Sequence, residues 1–304
     1  MLIAKDTRVY IAGCGGMLGA AVQQRFHATG ATILASDIDL NEPWLEYADV
    51  RDFSAIDKHI REFKPDLIIN LAALTDLEYC EQNAEDSWLT NGLGAENLGL
   101  IAAKLDVPYV YISTAGIFGG EKDVYNDFDA PNPLTIYAKS KYYSERYVCR
   151  SVPKHFVFRA GWMMGGGPQK DKKFVNKIYK QIAAGAKVLN VVDDKLGTPT
   201  YTVDFANGIL QLVQSEMYGL YNQVCGGLSS RHEVATEFVR MLGLEAAVKV
   251  NIVGSDFFST EYFASRPASE QLVNLKLNQR GLNFMRDWRV CLAEYSACFP
   301  KYGL

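Results

Sequence analysis

Short apolar runs recur along the first half of the chain, each ending in small or polar residues and each followed by a stretch with helical spacing: "RVYIAG", "ATILASD", "PDLIINLAA", "VPYVYIST" and "HFVFRAG". The runs are nearly continuous and do not alternate, as expected for strands buried on both faces of a parallel sheet. Helical patterns lie between them, over 20–29, 53–63, 84–105 and 138–148. Strand and helix in alternation predict β-α-β units. The right-handed crossover rule turns these into an α/β fold with a doubly wound parallel sheet, whose ligands bind beyond the carboxyl ends of the strands.

After Arg159 the rhythm loosens. "GWMMGGGPQKDKK" reads as a mobile loop, Gly-rich and then basic. A helix over 174–183, a strand in "KVLNVVDD" and the segment "GTPTYTVDFANGILQLV" follow, then helical patterns over 233–242 and 292–298. No internal repeat or low-complexity linker interrupts the chain, so a small C-terminal α/β region laid over the sheet edge is expected.

Composition narrows the partners. The 304 residues are 48% hydrophobic, enough for a large core, and 31 basic residues against 35 acidic ones give a formal net charge of -4. That balance offers no basic field for nucleic acid or an anionic membrane, which leaves a small molecule as the expected partner. Six scattered cysteines without a C-x-x-C pair, a charged N-terminus and no run near the ~20 apolar residues of a membrane span predict a cytoplasmic protein. The four histidines are far apart in sequence, and no metal site is expected.

"YIAGCGGMLGAAV" sets Gly13, Gly16 and Gly19 between a strand and a helix. Glycines at this spacing allow a tight turn, close approach of backbone to a pyrophosphate, and intimate helix packing, with the phosphate on the helix N-terminus. Asp37 ends the next strand, where a carboxylate can accept hydrogen bonds from the adenine-ribose hydroxyls and repel a 2′-phosphate. The expected cofactor is therefore a nicotinamide dinucleotide, NAD(H) favoured, with NADP(H) as the alternative. Cys14, inside the turn, is expected to fit as a small residue and not to react.

Of the seventeen tyrosines only Tyr137 is followed four residues later by a lysine, Lys141. That spacing puts both side chains on one helical face. A phenol with a pKa of about 10 exchanges protons poorly at neutral pH. A nearby ammonium, helped by an oxidised nicotinamide, lowers that pKa and makes the tyrosine a usable acid. Ser113 and Thr114, at a strand end, supply hydroxyls able to orient a carbonyl oxygen.

The order of the glycine turn, "NLAA" (Asn70 to Ala73), "ST" and Tyr-x-x-x-Lys resembles the extended short-chain dehydrogenase/reductases. "LTDLEYCE", "TNGLGAENL", "YISTAGIFGG", "VVDDKLGTPTYTVDFA" and "RPASEQLVNLKL" are similar to the dTDP-4-dehydrorhamnose reductases among them. The resemblance implies NAD(P)H-dependent reduction of a 4-keto-6-deoxy nucleotide sugar, dTDP-4-dehydrorhamnose to dTDP-L-rhamnose. It implies Thr114, Tyr137 and Lys141 as the catalytic residues. Gly13, Gly16, Met17, Leu18, Gly19, Asp37, Asp49, Val50, Ala72 and Ala73, with Tyr137 and Lys141, fall at cofactor positions. Thr114, Trp162 and Arg266 fall at substrate positions. The extended family often dimerises, so a homodimer is among the expected assemblies. A Rossmann domain over 1–162, with returns around 186–224, and a substrate-binding region over 163–185 and 225–304 follow from the same comparison.

Other readings keep part of this: a reductase or epimerase acting on a different nucleoside diphosphate sugar, or a non-catalytic NAD(P)-binding regulatory subunit. The departures from the family bear on them. Where members read Ser-Thr-Asp-Tyr-Val-Phe this chain has "STAGIF", so Ala115 and Gly116 replace an acid and an aromatic. Ala138 follows the tyrosine in place of glycine, Tyr143-Ser144 replaces a small pair before Glu145, and Ala21 stands where some members carry a glutamate tied to a metal-bridged dimer. Tyr143 and the altered rim are expected to face the same pocket. "QKDKKFVNK" is expected to be a solvated loop and helix start, with attraction of a diphosphate as its other reading.

Overall fold

The computed structural model describes residues 1–300. Its main sheet has strands β1 (Arg8–Ala12), β2 (Thr32–Asp37), β3 (Leu45–Tyr47), β4 (Leu67–Asn70), β5 (Tyr109–Thr114), β6 (His155–Ala160) and β7 (Gly219–Asn222). They lie in the order β7-β6-β5-β4-β1-β2-β3, every pair parallel. The chain thus winds outward from β1 in both directions, and β1 and β4 flank the switch point where doubly wound sheets bind ligands. In register, Ala12 stands opposite Ser36 and Asn70, and Thr114 opposite Ala160, so the carboxyl ends share one edge.

Alternation along each strand feeds two apolar layers. Val9, Ile11, Leu67, Ile69, Val110, Phe156 and Phe158 join one core, and Tyr10, Ile68, Tyr109, Tyr111 and Val157 the other. Helices α1 (Gly19–His27) and α6 (Thr202–Ser215) cover the first face; α2 (Phe53–Phe63), α3 (Gly94–Leu105) and α4 (Ile136–Ser151) cover the second. The first core also takes in Val234, Phe238, Trp288, Leu292 and Phe299, from α7 (Arg231–Met241), α8 (Trp288–Ser296) and the residues after α8. Helix α5 (Phe174–Ala183) completes that layer through Val175, Ile178 and Ile182. Among the described residues no helix is long and apolar enough to cross a membrane.

A second, four-stranded sheet stands above the carboxyl edge, in the order Ser229–Ser230, Leu196–Gly197, Ser269–Leu272, Val124–Tyr125. The last of these strands comes from within 1–162, so the two parts are laced together through backbone hydrogen bonds. Val188–Val192, within the expected return of 186–224, pairs with Lys249–Val253 and not with the main sheet, which the return rejoins only through α6 and β7.

Two segments differ from their expected form. The helix over 84–105 is broken into Ala84–Ser87, a π-helical turn over Trp88–Leu93, and α3. Such bulges cluster at functional sites, and here Asn91 is turned inward, accepting from Leu74 N–H at 2.9 Å and donating to the Leu74 carbonyl at 3.0 Å and Ser140 Oγ at 3.2 Å. "GWMMGGGPQKDKK" is not one loop. Trp162–Met164 pairs in parallel with Pro199–Tyr201, and Gly167–Lys170 makes a helical turn. Buried Asp171 ends that turn, accepting from the Tyr295 hydroxyl at 2.8 Å and from Lys173 N–H at 2.6 Å. Those long-range partners cannot be read locally, which is why glycines and lysines alone suggest a loop.

Candidate active site

The glycine turn closes tightly at the β1–α1 junction. Gly13 has φ +72°, and a Cβ there would meet Ala72 N at 2.2 Å; one at Gly19 would meet the Cys14 carbonyl oxygen at 1.8 Å. Only glycine fits at either position. Gly16 is exposed on the turn, Met17 half-buried, and Leu18 points into the core. Leu18 is the N-cap of α1 and its side chain makes no cap hydrogen bond; Gly19 N–H closes back on the Gly16 carbonyl at 3.2 Å, and the N–H groups that follow have no side-chain cap. These features fit a dinucleotide pyrophosphate. Cys14 is fully buried, its thiol pushed up to about 12 by burial, which makes it inert.

Asp37 stands beside the turn. Its Oδ2 accepts from Gly15 N–H at 2.8 Å and its Oδ1 from Asp39 N–H at 3.0 Å, which holds the carboxylate at the end of β2. Further along the edge, Asp49 is gripped by the Arg51 guanidinium, which draws its carboxyl below the usual range. Val50 packs its side chain against Gly94 at the start of α3. Ala72, half-buried like Ala73, donates its N–H to Asn70 Oδ1 at 3.0 Å.

Helix α4 brings the tyrosine and lysine to this edge. Its start is held twice: Thr135 Oγ1 accepts from Ala138 N–H at 3.1 Å, and Glu81 Oε1 accepts from Ile136 N–H at 2.7 Å. Tyr137 lies in that first turn, half-buried, and Lys141 one turn further in, only 3% exposed. Burial pushes the Tyr137 phenol up to about 12; the Thr114 hydroxyl pulls it back and the Glu270 carboxylate adds to the rise. Burial pushes Lys141 down to about 7 against the opposing pull of Glu145. The Lys141 ammonium nitrogen sits 4.3 Å from the centre of the Tyr111 ring, a position that suits a cation.

Under the helix lies a buried group that sequence spacing did not reveal. Glu145 takes a fork from Arg159, with Nε to Oε2 at 3.0 Å and Nη2 to Oε1 at 2.7 Å, while Ser113 Oγ donates to Oε2 at 2.7 Å. It ties α4 to β5 and β6 at the level of the site. The one signal was Arg159 itself, a charge inside the apolar run "HFVFRAG".

The second sheet supplies the opposite wall. Trp162 Nε1 donates to Glu270 Oε2 at 2.8 Å, and the Arg231 guanidinium lies 3.6 Å from the centre of the Trp162 ring. Arg266 lies further out, held by Glu78 through Nη1 at 2.8 Å and Nη2 at 3.0 Å and stacked over Tyr262. Lys173 bonds the Thr75 carbonyl and hydroxyl, and Lys177 donates to the Tyr262 hydroxyl at 3.1 Å. Arg231 is lowered to about 10, by burial first and then by Arg266; Lys173 is lowered by burial and by Lys177 and Arg231. "QKDKKFVNK" is therefore part of a cationic wall and not only a solvated surface. Thr114 and Tyr137 meet through their hydroxyls and Trp162 reaches the same space through Glu270, while Lys141, one turn further along α4, rests over the Tyr111 ring; Glu270, Arg231 and Asn91 were missed because their positions depend on pairings remote in sequence.

Tyr143 does not face this pocket. Two residues beyond Lys141 turns it about 200° around the helix, and its hydroxyl donates to Glu96 on α3 while its ring meets Trp88 edge-on. Ala115 is buried and Gly116 half-buried beside Thr114, so the altered rim does border the site. Among the described residues no cluster of His, Cys, Asp or Glu could hold a metal.

Strand order, the glycine turn at the first crossover and a Tyr-x-x-x-Lys helix at the switch-point edge define the class: an extended short-chain dehydrogenase/reductase fold. Within it the chain belongs to the family described as the RmlD substrate binding domain, whose model matches residues 7–299. It is 30% identical to the spore coat polysaccharide biosynthesis protein SpsK of Bacillus subtilis, over 96% of this chain and 99% of that one. It is 31% identical to the dTDP-4-dehydrorhamnose reductase of Mycolicibacterium smegmatis, over 94% and 84% of the two chains. The solved dTDP-4-dehydrorhamnose reductase of Bacillus anthracis in complex with NADP superposes with a TM-score of 0.85 at 28% identity, covering 95% of this chain and 98% of that one.

Proposed function

We propose that this protein is an NAD(P)H-dependent oxidoreductase that reduces dTDP-4-dehydrorhamnose to dTDP-L-rhamnose, a step of polysaccharide precursor synthesis. The observation that carries the reading is the Thr114 hydroxyl meeting the Tyr137 phenol, with Lys141 one turn along the same helix, at the sheet edge where doubly wound folds bind ligands. The names of the relatives support the substrate.

A dinucleotide would rest its pyrophosphate on the turn from Gly13 to Gly19, with Met17 and Leu18 contributing backbone, and its adenine ribose on Asp37. Asp49, Val50, Ala72 and Ala73 line the adenine and central part of the groove, and Lys141 and Tyr137 its nicotinamide end. When bound, the cofactor supplies the hydride. Thr114 donates a hydrogen bond to the sugar carbonyl oxygen, and Tyr137, neutral because it is buried, gives its proton to that oxygen as negative charge develops. Protonated Lys141 stabilises the phenolate left behind and holds the ribose hydroxyls. Trp162 flanks the sugar. The wall of Lys173, Lys177, Arg231 and Arg266, at the start of α5 where Lys173 makes no side-chain cap, suits a nucleoside diphosphate. Residues 163–185 and 225–300 supply most of this substrate-binding region; residues 301–304, also expected in it, lie outside the described residues.

We also favour NAD(H) over NADP(H), since Asp37 projects a carboxylate toward the ribose end, and we place the protein in the cytoplasm with a nucleotide sugar as its partner and a homodimer among its expected assemblies. Turnover of NADH with dTDP-4-dehydrorhamnose tests the central claim. Tyr137→Phe should lower kcat by about 10²–10⁴-fold, the usual worth of a positioned acid, with cofactor affinity kept; full activity in that variant would refute the assignment. A second reading, reduction of a different nucleoside diphosphate sugar, draws on Ala115 and Gly116 at the rim, and turnover across a panel of such sugars separates the two.

A further inference from the structure

Glu270 lies on the strand Ser269–Leu272, between Leu196–Gly197 and Val124–Tyr125. Alternation along that strand buries Ser269 and Gln271 and turns Glu270, half-buried, toward Thr114. One of its oxygens is fixed, because Oε2 accepts the Trp162 indole N–H at 2.8 Å. The indole is itself wedged: Arg231 stacks on it at 3.6 Å, and it lies so close to Gly197 that a Cβ there would come within 2.1 Å of the ring. The other oxygen, Oε1, accepts no hydrogen bond from the described residues. It looks across Gly116, where a methyl group would lie 3.2 Å from Oε1 and 3.5 Å from Thr114 Oγ1.

Thr114 Oγ1 marks where the reacting carbonyl oxygen lies, so the second Glu270 oxygen stands beside a neighbouring carbon of the sugar. The Ala115-Gly116 rim brings no acid or aromatic of its own, and glycine at 116 leaves the carboxylate of the facing strand open to that space. We propose that Glu270 is a specificity-determining residue, the acceptor for a hydroxyl on the carbon next to the reacting carbonyl, so that the pocket selects α-hydroxy-ketone sugars over their deoxy analogues. The inference rests on the reductase reading for the position of the carbonyl. A fixed, half-buried acceptor loses its partner when the hydroxyl is missing, and sites built in this way reject the deoxy analogue strongly.

The test compares wild type, Glu270→Gln and Glu270→Ala, each loaded with NADH, by calorimetric titration with dTDP-L-rhamnose, with its analogue lacking the 3-hydroxyl, and with dTDP alone. Glu270→Ala should weaken dTDP-L-rhamnose by roughly 10- to 100-fold, the worth of a hydrogen bond to a charged group, and leave dTDP and NADH affinities unchanged. Glu270→Gln, which keeps an acceptor oxygen, should recover part of the loss, and the deoxy analogue should bind all three proteins alike. Equal dTDP-L-rhamnose affinity in wild type and Glu270→Ala overturns the inference, as does a loss that falls equally on dTDP. Turnover read in parallel separates the two claims: wild type that binds the sugar selectively through Glu270 yet never oxidises NADH sinks the reductase reading alone.

Discussion

Lys141 enters the folded protein against the cost of desolvating its ammonium group. Its pKa falls from the usual 10.5 to about 7, so between those values the unfolded chain binds more protons than the folded one. Stability therefore rises with pH across that window as far as this residue contributes, and the penalty is fully present below about pH 7. Lys141→Met, with a similar apolar stem, should stabilise the cofactor-free protein in urea unfolding at about pH 6.5, and the gain should shrink toward zero by about pH 10. A gain independent of pH would mean that packing, not charge, is responsible. On the proposed mechanism the same variant should also lose most of its turnover, because Lys141 is the group proposed to stabilise the Tyr137 phenolate. At the other end of the groove, Asp37 is the proposed determinant of cofactor choice, acting by like-charge repulsion. Asp37→Ala should narrow the ratio of NADPH to NADH dissociation constants by roughly tenfold, about one charge contact at an exposed site. A ratio that does not move would assign the choice elsewhere.

At the scale of elements, α4 matters most, because it carries Tyr137 and Lys141, the proposed acid and its partner, and is anchored at three levels. Thr135 and Glu81 secure its start, Ser140 and Ser144 pack it against the π-helical turn, and Glu145 joins it to Arg159 and Ser113. Thr135→Ala should lower stability by about 1 kcal/mol, the typical value of an N-cap, with a larger proportional fall in kcat than in cofactor affinity, since Tyr137 lies in the loosened turn. Glu145→Ala leaves Arg159 buried without its partner and should cost about 3–5 kcal/mol, measured by denaturant unfolding; a loss under about 1 kcal/mol would show that water or Asp127 takes over the guanidinium. Much at this scale was legible. The spacing over 53–63 and 174–183 matches α2 and α5, and the five apolar runs are five strands of the main sheet. The three-residue β3 and the two-residue strands of the second sheet were not, because so short a strand carries no periodicity and exists only through its neighbours.

Over the whole molecule one apolar core runs from Ile3 through the main sheet to Trp288 and Phe299. The N-terminal half and the C-terminal region therefore share buried surface, and Val124–Tyr125 adds a backbone tie between them. Unfolding should be a single transition, with tryptophan fluorescence and far-ultraviolet circular dichroism coinciding in denaturant; two separated transitions would count against one shared core. The sequence by itself determined the doubly wound sheet, the glycine turn, Asp37 and the Tyr137–Lys141 pair, since each depends on periodicity or spacing within a few residues of chain. Tertiary structure decided which way Tyr143 faces, that the lysines after Gly167 belong to a cationic wall, and that a carboxylate from residue 270 stands beside Thr114. Those outcomes depend on pairings between segments up to about 150 residues apart, whose register is set by burial and backbone hydrogen bonding across the two sheets and leaves no local mark in the chain.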